Sequence, residues 1–179
     1  MQRTRLRFQS IRQIVGDEKL AVIVLVDEER KRALSVVCDE LMTHQLMLRN
    51  LSPTICRTML PEALLAMLPT DGHEMTVFGI HDGEYHVVLA DNDYEHTVRL
   101  RMSDAVLLTF IAPDIPLYME NTLLERQSVP FEPDATGIAI PINTMDLQRL
   151  GEALQHAVEV ENYELASHLR DEIRRRSEE

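Results

Sequence analysis

Residues 75–91 read MTVFGIHDGEYHVVLAD, two alternating apolar runs either side of Asp82-Gly83. A two-residue hairpin loop of type I′ needs positive φ at both central positions, which Asp-Gly supplies at low cost, so the stretch predicts an antiparallel β-hairpin. The run EHTVRLRM at 95–102 adds a third strand to this meander. Upstream, LAVIVLV at 20–26 is continuous and rich in branched residues, as in a strand buried on both faces. RALSVV at 32–37 is its expected hairpin partner across the charged turn, and RLRFQSI at 5–11 is an earlier strand.

Helical periodicity takes over between the two β-rich parts. In 39–50, DELMTHQLMLRN, Leu41, Gln45 and Leu48 with Met42 and Leu46 suit a helix that Asp39 caps. Pro53 breaks it, and a second helix over 58–68 places Pro61 in its first turn. SDAVLLTFIA at 103–112 predicts a helix with Ser103 as N-cap and Asp104 in the first turn, where the helix dipole favours a carboxylate. IPLYM at 115–119 reads as a short edge strand and ENTLLERQ at 120–127 as a short helix. These elements predict an α+β domain over 1–130 with a mixed, largely antiparallel sheet and packed helices.

Residues 131–143 are expected to be a linker, since the stretch 128–143 holds three prolines and a glycine without a sustained period. Residues 144–177 then hold two amphipathic runs broken near Glu161 and Asn162. Leu147, Leu150, Leu154, Ala157 and Val158 form one stripe, and Leu165, Ala166, Leu169 and Ile173 the other, predicting an antiparallel helical hairpin. So small a unit cannot bury a large core, which points to a partner, a second copy or the main domain to complete it.

The composition narrows the classes of function. A net charge of -12 argues against coating nucleic acid by bulk electrostatics. The excess is spread out, with 13 basic and 19 acidic residues in 1–131 and 5 and 11 in the rest. Arg3, Arg5 and Arg7 would share one strand face, as would Arg99 and Arg101, and solvated strand faces are the plain reading of both. The arginine-bearing N-terminus lacks the apolar core of a signal peptide and no stretch is long enough to span a membrane, so a cytoplasmic protein is expected. Cys38 and Cys56 lack the spacing of a zinc site or a disulfide framework and are expected as thiols. His81, His86 and His96 match no standard ligand set, so no metal site is assigned. With no phosphate-binding glycine loop, G-x-S-x-G elbow or H-E-x-x-H helix, the cofactor is unknown.

Two family resemblances add to this reading. Leu150, Ala153, Leu154, Ala157, Val158, Glu161, Tyr163, Glu164, Ala166, Leu169, Arg170, Asp171 and Ile173, above all within ENYELASHLRDEI, resemble the UVR motif of excision-repair subunits and protein quality-control adaptors. That implies docking on a protein partner through Tyr163, Leu165, Leu169, Arg170, Asp171 and Ile173. The segments HDGEYHVVL and VRLRMSDAVLLTFIAPDIPLYMENTLLE, with Arg101, Ser103, Asp104, Ala105 and Pro116, resemble the bifunctional nuclease family, small α+β proteins credited with DNase and RNase activity. The resemblance implies an RNA or DNA substrate and a homo-oligomer, a trimer being one form. An unpaired edge strand such as RTRLRFQ would favour the oligomer as well.

Phosphodiester hydrolysis needs a nucleophile and stabilisation of transition-state charge, and Arg101, Ser103 and Asp104 are the candidate catalytic residues: a phosphate clamp, a hydrogen bond and a carboxylate at a helix N-terminus. The same residues have a purely structural reading, in which Ser103 caps, Asp104 complements the dipole and Arg101 pairs with Asp104. The chain departs from the family pattern at two places. Where the family has Gly-x-x-Glu-Ala, CDELM puts Cys38, Leu41 and Met42, and where it has Pro-Leu-Thr-His-Asp, TICRTM has neither histidine nor aspartate. A non-catalytic scaffold or adaptor that recruits a partner through the hairpin is therefore the alternative to a nuclease.

Overall fold

β1 (Arg3–Ile14), β2 (Asp17–Asp27) and β3 (Arg32–Asp39) form an antiparallel meander. Its second turn is closed by Asp27, whose Oδ1 accepts from the amides of Lys31 (2.7 Å) and Arg32 (2.9 Å), with Arg30 at φ 55°. The computed structural model describes residues 2–14, 17–67, 69–81, 83–133 and 141–177. A second meander consists of β4 (His73–His81), β5 (Glu84–Asp91) and β6 (Thr97–Leu100). His81 pairs with Glu84 across the expected two-residue turn; Gly83 has φ 76°, and Asp82 lies outside the described residues.

The two meanders join through β7 (Leu117–Glu120), which runs parallel to β4 and antiparallel to β1. With β8 (Ser128–Pro130) the sheet order is β6-β5-β4-β7-β1-β2-β3-β8. This corrects two expectations. IPLYM is a central strand, and RTRLRFQ lies inside the sheet, pairing with β7 over Arg3–Leu6 and with β2 from Leu6 onward. Both follow from one long-range event, the insertion of the segment after Pro113 between strands that are distant in sequence. The edges are the short strands β6 and β8, and Pro130 in β8 lacks an amide to offer a further strand.

The helices complete the α+β fold. α1 (Glu40–Leu51) is capped by Asp39, whose Oδ1 accepts from the Met42 amide at 2.8 Å, as expected. Its buried residues are Met42, Leu46 and Arg49, while Leu41, assigned to the inner stripe from sequence, is exposed. α2 (Pro53–Cys56) and α3 (Leu60–Leu65) follow, Pro61 falling in the first turn of α3. α4 (Met102–Ile111) and α5 (Asn121–Gln127) complete this part. Ser103 is not the cap of α4: buried Met102 draws the helix start into the core, Arg101 takes the N-cap position, and Ser103 sits in the first turn. Ile23, Leu25, Met75, Val77, Val87, Leu117 and Met119 from the sheet share one core with Met42 and Leu46 of α1 and Ala105 and Val106 of α4. Each Val, Leu, Ile or Met among them contributes about 1.5–3 kcal/mol on burial.

α6 (Leu147–Glu159) and α7 (Tyr163–Ser177) pack together as the expected hairpin. Its core, Ile142, Leu150, Ala157, Ala166 and Leu169, is separate from that of the sheet, and Leu154, Leu165 and Ile173 pack against it. Leu147 and Val158, expected in the inner stripe, are about half exposed. Residues 134–140 of the expected linker lie outside the described residues, and Ile142–Thr144 forms a short 3-10 turn. Among the described residues no helix is long and apolar enough to cross a membrane.

Candidate functional site

The strand-to-helix step after β6 places Arg101 between the N-termini of two helices. Its Nε donates to Asp104 Oδ2 at 2.6 Å and its Nη2 to Asp104 Oδ1 at 3.2 Å, while Nη1 lies 3.6 Å from Asp39 Oδ2 at the start of α1. The hydrogen bond to Asp104 comes first among the causes that raise the guanidinium pKa above its ordinary value. A cleft of about 260 Å³ opens here, lined by Cys38, Asp39, Glu84, Arg101, Ser103 and Asn143 among others. Ser103 is 9% exposed. Burial pushes the Cys38 thiol pKa up, which keeps it protonated and a weak nucleophile.

The three residues of the Arg-x-Ser-Asp stretch are thus adjacent, but the guanidinium is engaged by carboxylates on two sides. As placed, the arrangement performs the structural task of joining and neutralising two helix starts. A phosphate clamp would need Arg101 to exchange those partners for substrate oxygens, beside Glu84 and the two aspartates.

The histidines divide. His81 and His86 approach with ring centroids 5.6 Å apart, and Arg99 Nη2 lies over the His86 ring, 2.8 Å from Nε2 and 3.1 Å from Nδ1. His96 stands at the other end of β5, its Nδ1 2.9 Å from Asp91 Oδ2. Among the described residues no three His, Cys, Asp or Glu side chains converge as a metal site. Of the strand arginines, Arg3 bonds Glu74 and Thr76 and lies over the Tyr118 ring, while Arg7 pairs with Glu28.

In the hairpin, the six residues assigned to partner binding separate into two groups. Leu169 is fully buried in the hairpin core, with Leu165 and Ile173 packed beside it; Tyr163, Arg170 and Asp171 are exposed. The turn explains the break seen in the sequence. Asn162 N donates to Ala157 O (2.8 Å) and Glu161 N to Val158 O (3.1 Å), the Schellman pattern, with Glu161 in the left-handed region at φ 58°. Asn162 Oδ1 accepts from the Leu165 amide at 3.1 Å and caps α7. This tip carries exposed Val158, Val160 and Tyr163.

Polar groups invisible as motifs seat the hairpin on the sheet. Arg32 donates to Ser128 Oγ (2.7 Å), Ser128 O (2.8 Å), Glu125 O (3.1 Å) and Glu164 Oε1 (3.1 Å), tying β3, α5, β8 and α7 together. Asn143 Nδ2 donates to Gly83 O at 2.7 Å, and Arg176 Nη1 and Nη2 donate to the carbonyls of Met145 and Ile142. Burial alone would raise the Glu172 carboxyl pKa, but hydrogen bonds from Arg175 and Arg176 outweigh it and hold it below the usual carboxylate range. Burial keeps the Tyr85 phenol well above its ordinary range, with the Glu172 charge adding to it. The only sequence signal for this seam is the arginine-rich end of α7. No protein-family model and no curated protein matches the chain.

Proposed function

We propose that the chain is a protein-interaction module, in which copies of the α+β domain assemble and the C-terminal hairpin recruits a protein partner. Assembly of copies follows from the resemblance to the nuclease family, while the observation that carries the recruitment of a partner is the hairpin itself. It closes its own small core and still leaves Val158, Val160 and Tyr163 exposed together at its tip. Isolated exposed apolar residues are ordinary, whereas three at one turn of a small helical unit form a local apolar patch, and Tyr163 is of the residue type enriched among interface anchors. The resemblance to the UVR motif points the same way, and the two buried thiols, Cys38 and Cys56, fit the reducing cytoplasm.

The second reading is phosphodiester hydrolysis, favoured by the cleft at the start of α4, where no side chain caps the helix and Arg101 and Ser103 stand at its mouth. The two readings part on one experiment. Highly purified protein is incubated with labelled single-stranded RNA and double-stranded DNA, with and without divalent cations, beside a folded Asp104→Ala variant. The interaction reading expects intact nucleic acid throughout, and a named partner retained by the parent protein but lost on Val158→Glu with Tyr163→Glu. Cleavage that disappears in Asp104→Ala would establish the nuclease instead.

A further inference from the structure

The three helices between the meanders carry more apolar surface than the core uses. In α1 the inner side is Met42, Leu46 and Arg49, yet Leu41, Met47 and Leu51 project from the rest of the helix. Ile55 in α2, Leu60 and Leu64 in α3 and Met67 just beyond it are exposed as well, and these seven side chains are 45% to 84% exposed. Isolated exposed apolar residues are ordinary, whereas a concentration of them on one part of the surface marks an interaction site. α3 is fixed beside α1 by the buried Arg49–Glu62 pair, so the surface belongs to a fixed part of the fold.

We infer that this α1–α3 face is the contact between copies of the chain, an inference that rests on the assembly reading above and names its surface. Three observations choose a second copy as occupant. The first is area. At roughly 100 Å² of apolar surface per fully exposed Leu, Ile or Met side chain, the seven present on the order of 450 Å². A standard interface takes about 800 Å² from each partner, a little over half of it apolar, so one copy of the face supplies what each side of a stable dimer needs.

The second is shape. Beside the protruding side chains lies a groove of about 340 Å³ between α3 and α4, lined by Pro61, Leu64, Leu65, Leu107, Leu108 and Ile111, with Leu100 and Asp104 also bordering it. One chain thus carries both projection and recess, as a two-fold contact requires. The third is charge. Residues 40–67 contain Glu40, Arg49, Arg57 and Glu62 and so balance to zero, in a chain whose net charge is -12. Two acidic copies repel over most of their surface, and this neutral face is where they approach at least cost.

Sedimentation velocity of the full-length protein at micromolar concentration tests this, beside Leu51→Glu with Leu60→Glu and, separately, Met67→Glu, all at exposed positions. The expected result is an oligomer for the parent, a monomer for the double variant with an unchanged circular dichroism spectrum, and a weakened oligomer for Met67→Glu. An oligomer that persists in folded variants overturns the assignment of the face and leaves the assembly reading standing. A monomeric parent overturns both, and the face then serves a different protein.

Discussion

Arg101 clasps Asp104 through two hydrogen bonds, at 2.6 and 3.2 Å, while leaning on Asp39 of the neighbouring helix at 3.6 Å. The pair is substantially exposed, which places its direct worth at about 0–1 kcal/mol, with a further ~0.3–1 kcal/mol from Asp104 at the helix N-terminus. Asp104→Ala is expected to cost about 1 kcal/mol and to lower Tm by roughly 2–4 °C. Calorimetry checks this, and a loss of several kcal/mol would show that the residue holds the cleft together rather than merely decorating a helix start.

Arg49 and Glu62 form a different kind of pair. The bonds, Nε to Oε1 at 2.7 Å and Nη2 to Oε2 at 3.1 Å, sit between α1 and α3 with the Arg49 side chain only 3% exposed. Glu62→Ala leaves a buried guanidinium uncompensated and is expected to cost about 3–5 kcal/mol. Arg49→Met combined with Glu62→Leu should recover most of that, since apolar replacement of both partners removes the uncompensated charge. Urea unfolding of the parent and the two variants measures the difference, and equal loss in single and double variants would contradict this account.

What was legible in the sequence was local. The 81–84 hairpin, the Asp39 cap and the break at Glu161 and Asn162 each depend on backbone groups within a few residues, so composition and spacing contain the answer. The Arg101–Asp104 pairing, three residues apart on one helix turn, could also be read. The position of β7 could not, because Leu117–Glu120 has the same alternation whether it lies at an edge or in the middle, and only long-range pairing with β1 and β4 decides. Arg32 illustrates the limit for the site: its partners Ser128 and Glu164 lie 96 and 132 residues away, and nothing near it hints at them. Leu41 misled for a related reason, since α1 carries apolar residues beyond its buried side and local periodicity does not say which of them face the core.

Glu161 occupies the left-handed region that glycine adopts without a Cβ penalty. Glu161→Gly should therefore stabilise the hairpin turn by up to about 1 kcal/mol. Asn162→Ala should act in the opposite sense, by about 1 kcal/mol, through loss of the cap on α7. Hydrogen exchange at the Leu165 and Ala166 amides separates the two effects. Protection should rise in the first variant and fall in the second, and a fall in both would mean that the Glu161 side chain has a role the backbone geometry does not reveal.

Glu172 gives the hairpin a dependence on acid. Burial opposes its ionised form, yet the hydrogen bonds from Arg175 and Arg176 win and its pKa falls below the ordinary 4.5. A carboxylate depressed on folding contributes stability that is fully present above its unfolded value and is lost as pH falls through the folded one. Protonation weakens its hold on Arg176, the residue that clamps the carbonyls of Ile142 and Met145 and so fixes the turn carrying Asn143. Acidification below pH 4.5 should therefore release the Asn143–Gly83 contact before the sheet melts, seen as early exchange of amides in 142–145. Glu172→Gln should remove the pH dependence while weakening the turn at all pH values. A parent protein whose turn and sheet lose protection together would mean that the clamp is not the weak point of the seam.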